Sequence, residues 1–204
     1  MKKSLFSVAL LATFALGAGL AAGQGSSPTP HKAPEIAFTV PGQGERLLSQ
    51  YRGKVVVLDF ILTTCPHCQA AAHTLSGLQQ KYGSQGFQAL QVAINGTDEG
   101  RNQSQANDLV SAFARTYQAN FPVGWVARDA MPTFMGFSLM DRTVVPQVVI
   151  IDRKGFIRYQ TPATGESDLR MPDVLQQHVE ELLSAGSAAS HRTPAAKTAA
   201  KQPS

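Results

Sequence analysis

The chain is organised around the stretch Phe60-Ile61-Leu62-Thr63-Thr64-Cys65-Pro66-His67-Cys68, which contains both cysteines of the 204-residue sequence. An apolar run, Val55 to Leu58, leads into this stretch and predicts a central strand that is covered on both faces. Apolar residues then recur at helical spacing and predict a helix that ends at Gly83; they are Ala71, Leu75, Leu78 and Tyr82. The two cysteines are therefore expected where a buried strand turns into a helix.

Cys65 is the candidate nucleophile of this chain. It stands at the predicted helix start, where unpaired N–H groups and the positive end of the helix dipole stabilise a thiolate. Cys68 comes one turn later and suits a buried resolving thiol. The alternatives are an inert structural disulfide and half of a zinc site. Zinc usually needs four ligands and no second cysteine pair exists, while a disulfide that closes so short a loop adds little stability. Redox chemistry without a metal site is therefore favoured.

Two further side chains near the pair are candidates. Asp59 lies on the predicted central strand, where a carboxylate is costly unless it is paired or protonated. The alternative for Asp59 is a hydrogen-bonded core residue with no kinetic role. A protonated His67 would add positive charge near Cys65 and favour its thiolate, and the alternative is a solvated histidine with little effect.

The composition indicates one domain with an extension at each end. Met1 to Gly23 has a positive start, an apolar stretch and small residues before a cut after Gly23, which predicts a secretory signal peptide; an uncleaved anchor is the alternative. Residues 24–32 are predicted as a linker, 33–183 as the domain and 184–204 as a disordered tail.

Periodicity places the other elements along the domain. Strands are predicted at Phe38 to Val40, Phe87 to Ile94 and Phe121 to Ala127, and a hairpin at Gln147 to Ile151 and Phe156 to Tyr159. The strand from Phe87 is expected to be parallel to its predecessor because a helix connects them. Asn95 to Asn107 is interpreted as a loop; helices are expected around Leu109, Phe113 and Tyr117, at Asp129 to Phe137, and after Pro172.

The charge balance bears on the partners. The chain carries 18 basic and 14 acidic residues, but five of the basic ones lie in the leader or the tail: Lys2, Lys3, Arg192, Lys197 and Lys201. The core of the chain thus has 13 basic and 14 acidic residues. This balance implies no basic patch, so nucleic acid is not an expected partner.

Two cysteines in an exported chain suggest one disulfide in an oxidising compartment.

The strand, the Cys65-Pro66-His67-Cys68 motif and the following helix together resemble the active site of the thioredoxin superfamily. The dipeptide Pro66-His67 is similar to that of the DsbA disulfide oxidases. The flanks resemble the exported TlpA/ResA group, through Ala33-Pro34 and Tyr51-Arg52-Gly53-Lys54. The resemblance implies an α/β thioredoxin-like fold, with helices on both faces of a central mixed sheet. It also implies that the strand and helix between Phe121 and Phe137 are the insertion of the TlpA/ResA group.

The resemblance also implies roles for individual residues. Asp59 would accept the proton of the resolving thiol. The Val145-Pro146 bond would be cis and lie beside the cysteines, and Val145 would contact an extended substrate. The implied protein is an extracytoplasmic, periplasmic thiol-disulfide oxidoreductase, expected to be monomeric and to need no cofactor. Its partners would be protein dithiols or disulfides, such as cytochrome c apoproteins, and a membrane or periplasmic redox protein.

Other functions in the same fold remain as alternatives. Copper-handling proteins of the Sco type resemble this fold and use soft thiolates, but with three residues between the cysteines rather than two. A peroxiredoxin has Thr three residues before its peroxidatic cysteine, where Leu62 stands before Cys65. Haem attachment is excluded, because it requires His after the second cysteine and Gln69 occupies that place. Thr64 stands where thioredoxins and TlpA-like proteins usually have Trp, and His73 stands where thioredoxin has a helix-kinking proline. We expect His73 to be structural or solvated.

Overall fold

Strand β4 (Val55–Ile61) lies inside an eight-stranded mixed sheet in the computed structural model, which describes residues 28–138 and 140–190. The strand is buried along its whole length, and its side chains alternate between two hydrophobic cores. Val55, Val57 and Ile61 enter one core, and Val56, Leu58 and Phe60 enter the other. The predicted central strand, covered on both faces, is confirmed.

The remaining strands surround β4 in the order β1-β8-β7-β4-β5-β6-β2-β3. Their bounds are β1 (His31–Lys32), β2 (Ala37–Val40), β3 (Gly44–Leu47), β5 (Phe87–Ala93), β6 (Val123–Trp125), β7 (Gln147–Ile151) and β8 (Phe156–Gln160). Strand β5 is parallel to β4, as expected from its helical connection, and β7 is antiparallel to β4 on the other side. The predicted hairpin corresponds to β7 and β8.

Helices cover both faces of the sheet, as the resemblance implies. Helices α1 (Pro66–Tyr82), α2 (Gln103–Thr116) and α4 (Pro172–Ser190) contribute side chains to the core that contains Val57. The short helix α3 (Ala130–Met135) packs in the opposite core, against Phe60 and its neighbours. Strand β6 and helix α3 are the predicted insertion. The fold is therefore the expected thioredoxin-like one.

The segment from Asn95 to Asn107 is not a simple loop, so this part of the prediction is wrong. A 3-10 turn forms at Asp98–Gly100, and α2 begins at Gln103. The helix starts early because Asn102 caps it: the Asn102 side chain accepts from Gln105 N at 3.0 Å, and the Gln105 side chain accepts from Asn102 N at 2.9 Å.

The edge strand β3 was also missed. It follows a turn after Val40 and pairs with β2 in antiparallel register. Its sequence, Gly44-Glu45-Arg46-Leu47, lacks the apolar alternation that marks a half-buried strand.

Regular secondary structure is present beyond both ends of residues 33–183. Strand β1 falls within the predicted linker; its two residues pair with Ile157 and Phe156 of β8. At the other end α4 continues to Ser190, and Ser184 Oγ donates to Glu180 O at 2.8 Å. The signal peptide, residues 24–27 of the linker and residues 191–204 lie outside the described residues. Within the described ranges, none of the helices combines the length and hydrophobicity that crossing a membrane requires.

Candidate active site

Cys65 is the N-cap residue of α1, and Pro66 occupies the first turn, where no backbone N–H is needed. The Cys65 backbone is extended, and its N–H donates to Leu62 O at 3.1 Å, which closes the turn out of β4. Cys65 is partly exposed, whereas Cys68 is completely buried; both are free thiols in this structure. The predicted arrangement of an accessible first thiol and a buried second thiol is present.

Burial is the main cause that raises the pKa of the Cys68 thiol far above its usual range. The negative charge of Asp59 and the neighbouring Cys65 raise that pKa further. Cys68 therefore stays protonated at neutral pH, and it can act as a nucleophile only if a nearby group takes its proton.

Asp59 lies on β4, on the face that carries α1 and α4, and is 1% exposed. Burial raises the pKa of its carboxyl to about 7, while a hydrogen bond from Gln91 and the positive charge of Arg170 act in the opposite direction. Its Oδ1 has no hydrogen-bond partner among the described residues. A carboxyl with a pKa near neutrality can both take up and release a proton under physiological conditions.

Gln91 connects this carboxyl to the resolving cysteine. It lies opposite Asp59 in the β4–β5 register and is fully buried. Its Nε2 donates to Asp59 Oδ2 at 3.0 Å and to the backbone oxygen of Cys68 at 3.2 Å. Sequence reasoning missed Gln91. A polar residue in the middle of an apolar strand that pairs with the strand of Asp59 was the available signal.

The Val145-Pro146 peptide bond is cis, as the resemblance implies, and it lies beside the first cysteine. The Cys65 thiol is 3.9 Å from Val145 O, to which it donates a hydrogen bond. Val145 N–H makes no hydrogen bond with any described residue. The Val145 backbone thus presents one unpaired donor and one weakly bonded acceptor next to the candidate nucleophile.

A cleft of about 520 Å³ runs along α1. Asp59, His67 and Pro146 line it together with Arg170 and Met171, which directly precede α4. His67 is exposed and makes no hydrogen bond or ion pair with the described residues. The cleft brings three of the predicted site residues to one surface.

Polar side chains also hold the loop that precedes Cys65. Asn95 accepts from Thr63 N at 3.2 Å and donates to Thr63 Oγ1 at 3.0 Å, and Gln69 donates to Thr63 O at 3.1 Å. Sequence reasoning did not identify this cluster. His73, in contrast, is exposed and packs edge-on against Tyr117, which agrees with a structural or solvated histidine.

Within residues 28–138 and 140–190, no group of three or more His, Cys, Asp or Glu side chains is arranged to hold a metal ion.

Comparison with known proteins agrees with this architecture. Two of the similar solved structures are thiol:disulfide interchange proteins. One, from Chlorobium tepidum and assigned as thiol:disulfide interchange protein DsbE, is 26% identical, with a TM-score of 0.59 over 76% of this chain and 96% of its own. A second C. tepidum protein, a thiol:disulfide interchange protein of the thioredoxin family, is 20% identical, with a TM-score of 0.59 over 78% of this chain and 99% of its own.

Proteins similar in sequence include a thioredoxin-like protein and a glutathione peroxidase. The thioredoxin-like protein YneN of Bacillus subtilis is 28% identical over 127 residues, which is 62% of this chain and 67% of YneN. A Xenopus laevis protein assigned as glutathione peroxidase 8-B is 32% identical over 77 residues, which is 37% of this chain and 36% of that protein. Residues 30–160 match the model of the AhpC/TSA family. With its thioredoxin-like fold and its Cys65–Cys68 site, the chain belongs to the AhpC/TSA family of the thioredoxin superfamily.

Proposed function

We propose that this protein is an extracytoplasmic thiol-disulfide oxidoreductase that exchanges disulfides with protein substrates through Cys65 and Cys68. One observation carries the proposal: a partly exposed cysteine caps α1 beside the cis Val145-Pro146 bond, and a buried cysteine follows one turn later. This arrangement separates an attacking thiol from a resolving thiol.

The first half of the reaction joins the protein to its substrate. The Cys65 thiolate attacks one sulfur of a substrate disulfide; a bond forms between Cys65 and that sulfur, and the substrate S–S bond breaks. The leaving sulfur departs as a thiolate and takes a proton from solvent. The product is a mixed disulfide.

The second half releases the substrate. Cys68 gives its proton to Asp59 and attacks Cys65 Sγ, which forms the Cys65–Cys68 disulfide and expels the second substrate thiolate. Two electrons have then moved from the protein dithiol to the substrate disulfide, and the reverse sequence oxidises a substrate dithiol. The raised pKa values of Cys68 and Asp59 support this assignment, because a buried thiol needs a buried base whose pKa is near the working pH.

The leader and one similar solved protein support the proposed location. The sequence of residues 1–23 is typical of a signal peptide, and a similar solved protein is assigned as DsbE. We propose that the reaction takes place outside the cytoplasm and that a membrane or periplasmic protein restores the redox state. Cytochrome c apoproteins and folding exported proteins are the candidate substrates, and no nucleic acid takes part.

Trapping of mixed disulfides tests the proposal. Cys68→Ala cannot resolve the intermediate, so expression of the full-length variant in a bacterial host that exports it should yield disulfide-linked adducts that vanish with reductant. Cys65→Ala is the matched control and should trap none. A purified wild-type protein that neither reduces nor oxidises any protein disulfide, together with no trapped adduct, contradicts the function.

A peroxidase is the second candidate, favoured by the local similarity to glutathione peroxidase 8-B. The residue three before Cys65 is Leu62 rather than the Thr of peroxiredoxins, so peroxide should be consumed slowly compared with protein disulfides. Parallel assays with hydrogen peroxide and with a disulfide-bonded protein show which of the two substrates is turned over faster. Faster turnover of peroxide would make the peroxidase the principal function.

A further inference from the structure

A buried amide, Gln147, supports the backbone that faces Cys65. Gln147 is the first residue of β7, directly after the cis Val145-Pro146 bond, and is completely buried. A buried carboxamide is unfavourable unless its donors and acceptor are paired. The partners of Gln147 therefore reveal which parts of the chain it holds together.

The Gln147 amide nitrogen joins two backbone segments. Its Nε2 lies 2.7 Å from Val144 O, 3.2 Å from Pro162 O and 3.2 Å from Ala163 O. Val144 N also donates to Ala163 O at 3.2 Å. The segment before the cis bond is thus tied to the segment that follows β8.

Thr161 completes the connection from the other side. Thr161 is fully buried, and its Oγ1 donates to Gln147 Oε1. Thr161 Oγ1 also accepts a hydrogen bond from Val148 N at 3.1 Å. All the polar atoms of the Gln147 side chain are therefore engaged, which fixes its orientation.

The consequence falls on Val145. Because the Val144 carbonyl is held by Gln147, the adjacent Val145 carbonyl stays near the Cys65 thiol, and Val145 N–H is left without a partner among the described residues. A free donor and an acceptor on one residue are what an extended polypeptide needs to pair with.

We propose that Gln147 and Thr161 are positioning residues that hold Val145 in place for an extended polypeptide carrying the disulfide. The proposal rests on the thiol-disulfide function proposed above, and it predicts that peptide disulfides depend on Gln147 and Thr161 more strongly than small disulfides do. A small disulfide reaches Cys65 without pairing with Val145, so its reaction does not depend on this network.

Two variants and two substrates test this. Thr161→Val removes the hydroxyl at nearly constant volume, and Thr161→Ser keeps it. The substrates are a short synthetic peptide with one disulfide and 2-hydroxyethyl disulfide. For Thr161→Val we expect kcat/KM with the peptide to fall about tenfold, mainly through KM, as one lost hydrogen bond allows, and no change with 2-hydroxyethyl disulfide. Thr161→Ser should restore the peptide activity.

Gln147→Met removes the whole network and should have a larger effect in the same direction. Gln88→Met is the matched control, because Gln88 is a buried glutamine of β5 that contacts Gln79 and Lys54 instead of the site. If Gln147→Met does not fold, the Thr161 pair decides alone. Equal losses with both substrates, or no loss with either, overturn the positioning role; a wild-type protein that reacts with neither substrate overturns the proposed function itself.

Discussion

Gln91 Nε2 lies 3.0 Å from Asp59 Oδ2, so a buried amide from β5 faces the buried carboxyl of β4. The same nitrogen reaches the backbone oxygen of Cys68 at 3.2 Å. The group that is proposed to take the proton of the resolving thiol is thereby linked to the residue that carries this thiol.

Replacement of Gln91 by Met should raise the pKa of Asp59 above 7, because the hydrogen bond that stabilises the ionised carboxylate is lost. A carbon-detected NMR titration of the Asp59 carboxyl measures this directly. We also expect a loss of stability of roughly 1–3 kcal/mol, since the Cys68 backbone oxygen loses its donor as well. An Asp59 pKa that does not move would show that the hydrogen bond has no influence on the carboxyl.

Asp59 should make the folded protein less stable as the pH rises. Its pKa is raised from 3.8 to about 7 in the folded state, so the native protein binds a proton that the unfolded chain has already released. The contribution of Asp59 to the free energy of unfolding is fully present below about pH 4 and is lost as the pH rises to about 7. This loss is at most on the order of 4 kcal/mol.

Asp59→Asn removes this dependence. Denaturation midpoints of both proteins at pH 4 and pH 8 should show the variant gaining relative to wild type at pH 8. An equal difference at both pH values would mean that Asp59 does not titrate in this range.

The same substitution should slow the resolving step. Asn cannot accept the proton of Cys68, so release of a preformed mixed disulfide should be roughly 10²-fold slower, the low end of what general bases contribute. In wild type the rate should rise with pH through about 7 as Asp59 ionises, and in Asp59→Asn that inflection should be absent. Stopped-flow measurement of thiol release follows this step. An unchanged rate would leave Asp59 with a structural role only.

Cys65 should be alkylated faster than Cys68 in the reduced protein. Cys65 is partly exposed, whereas Cys68 is buried and its pKa is raised. Each pKa unit above the assay pH lowers the thiolate fraction about tenfold. We therefore expect Cys65 to be alkylated at least about ten times faster than Cys68. Mass spectrometry after brief iodoacetamide treatment at neutral pH gives the ratio. Faster labelling of Cys68 would reverse the assigned roles.

The Cys65-Pro66-His67-Cys68 site should be comparatively oxidising. Oxidation removes the thiolate charge of Cys65, so positive charge from the helix N-terminus and from a protonated His67 favours the reduced form. His67 is exposed, and solvent screens charge at an exposed position, so His67→Ala should lower the reduction potential by no more than about 30 mV.

His73→Ala is the matched control, since His73 is an exposed histidine on the same helix. A glutathione redox titration compares the three proteins. A wild-type potential as low as that of thioredoxin, unmoved by His67→Ala, would contradict the oxidising assignment.

Local signals in the sequence were sufficient to predict most of the helices and strands. The apolar run from Val55 and the helical spacing after Cys65 each depend on neighbouring residues only, and both agree with the structure. The start of α2 was missed although its cap, Asn102 with Gln105, is also local. Strand β3 could not be found in this way, because a polar edge strand is defined by its pairing with β2 and not by its own side chains.

The sequence by itself determined the position of the cysteine pair at the start of a helix, and hence the class of chemistry. Tertiary structure alone decided the surroundings: Val145 O approaches Cys65 from 80 residues away, and Gln91 meets Asp59 from 32 residues away. The raised pKa values of Asp59 and Cys68 likewise come from burial by several elements at once. Helix formation depends on neighbours along the chain, whereas desolvation and hydrogen bonding across the sheet depend on which distant segments pack together.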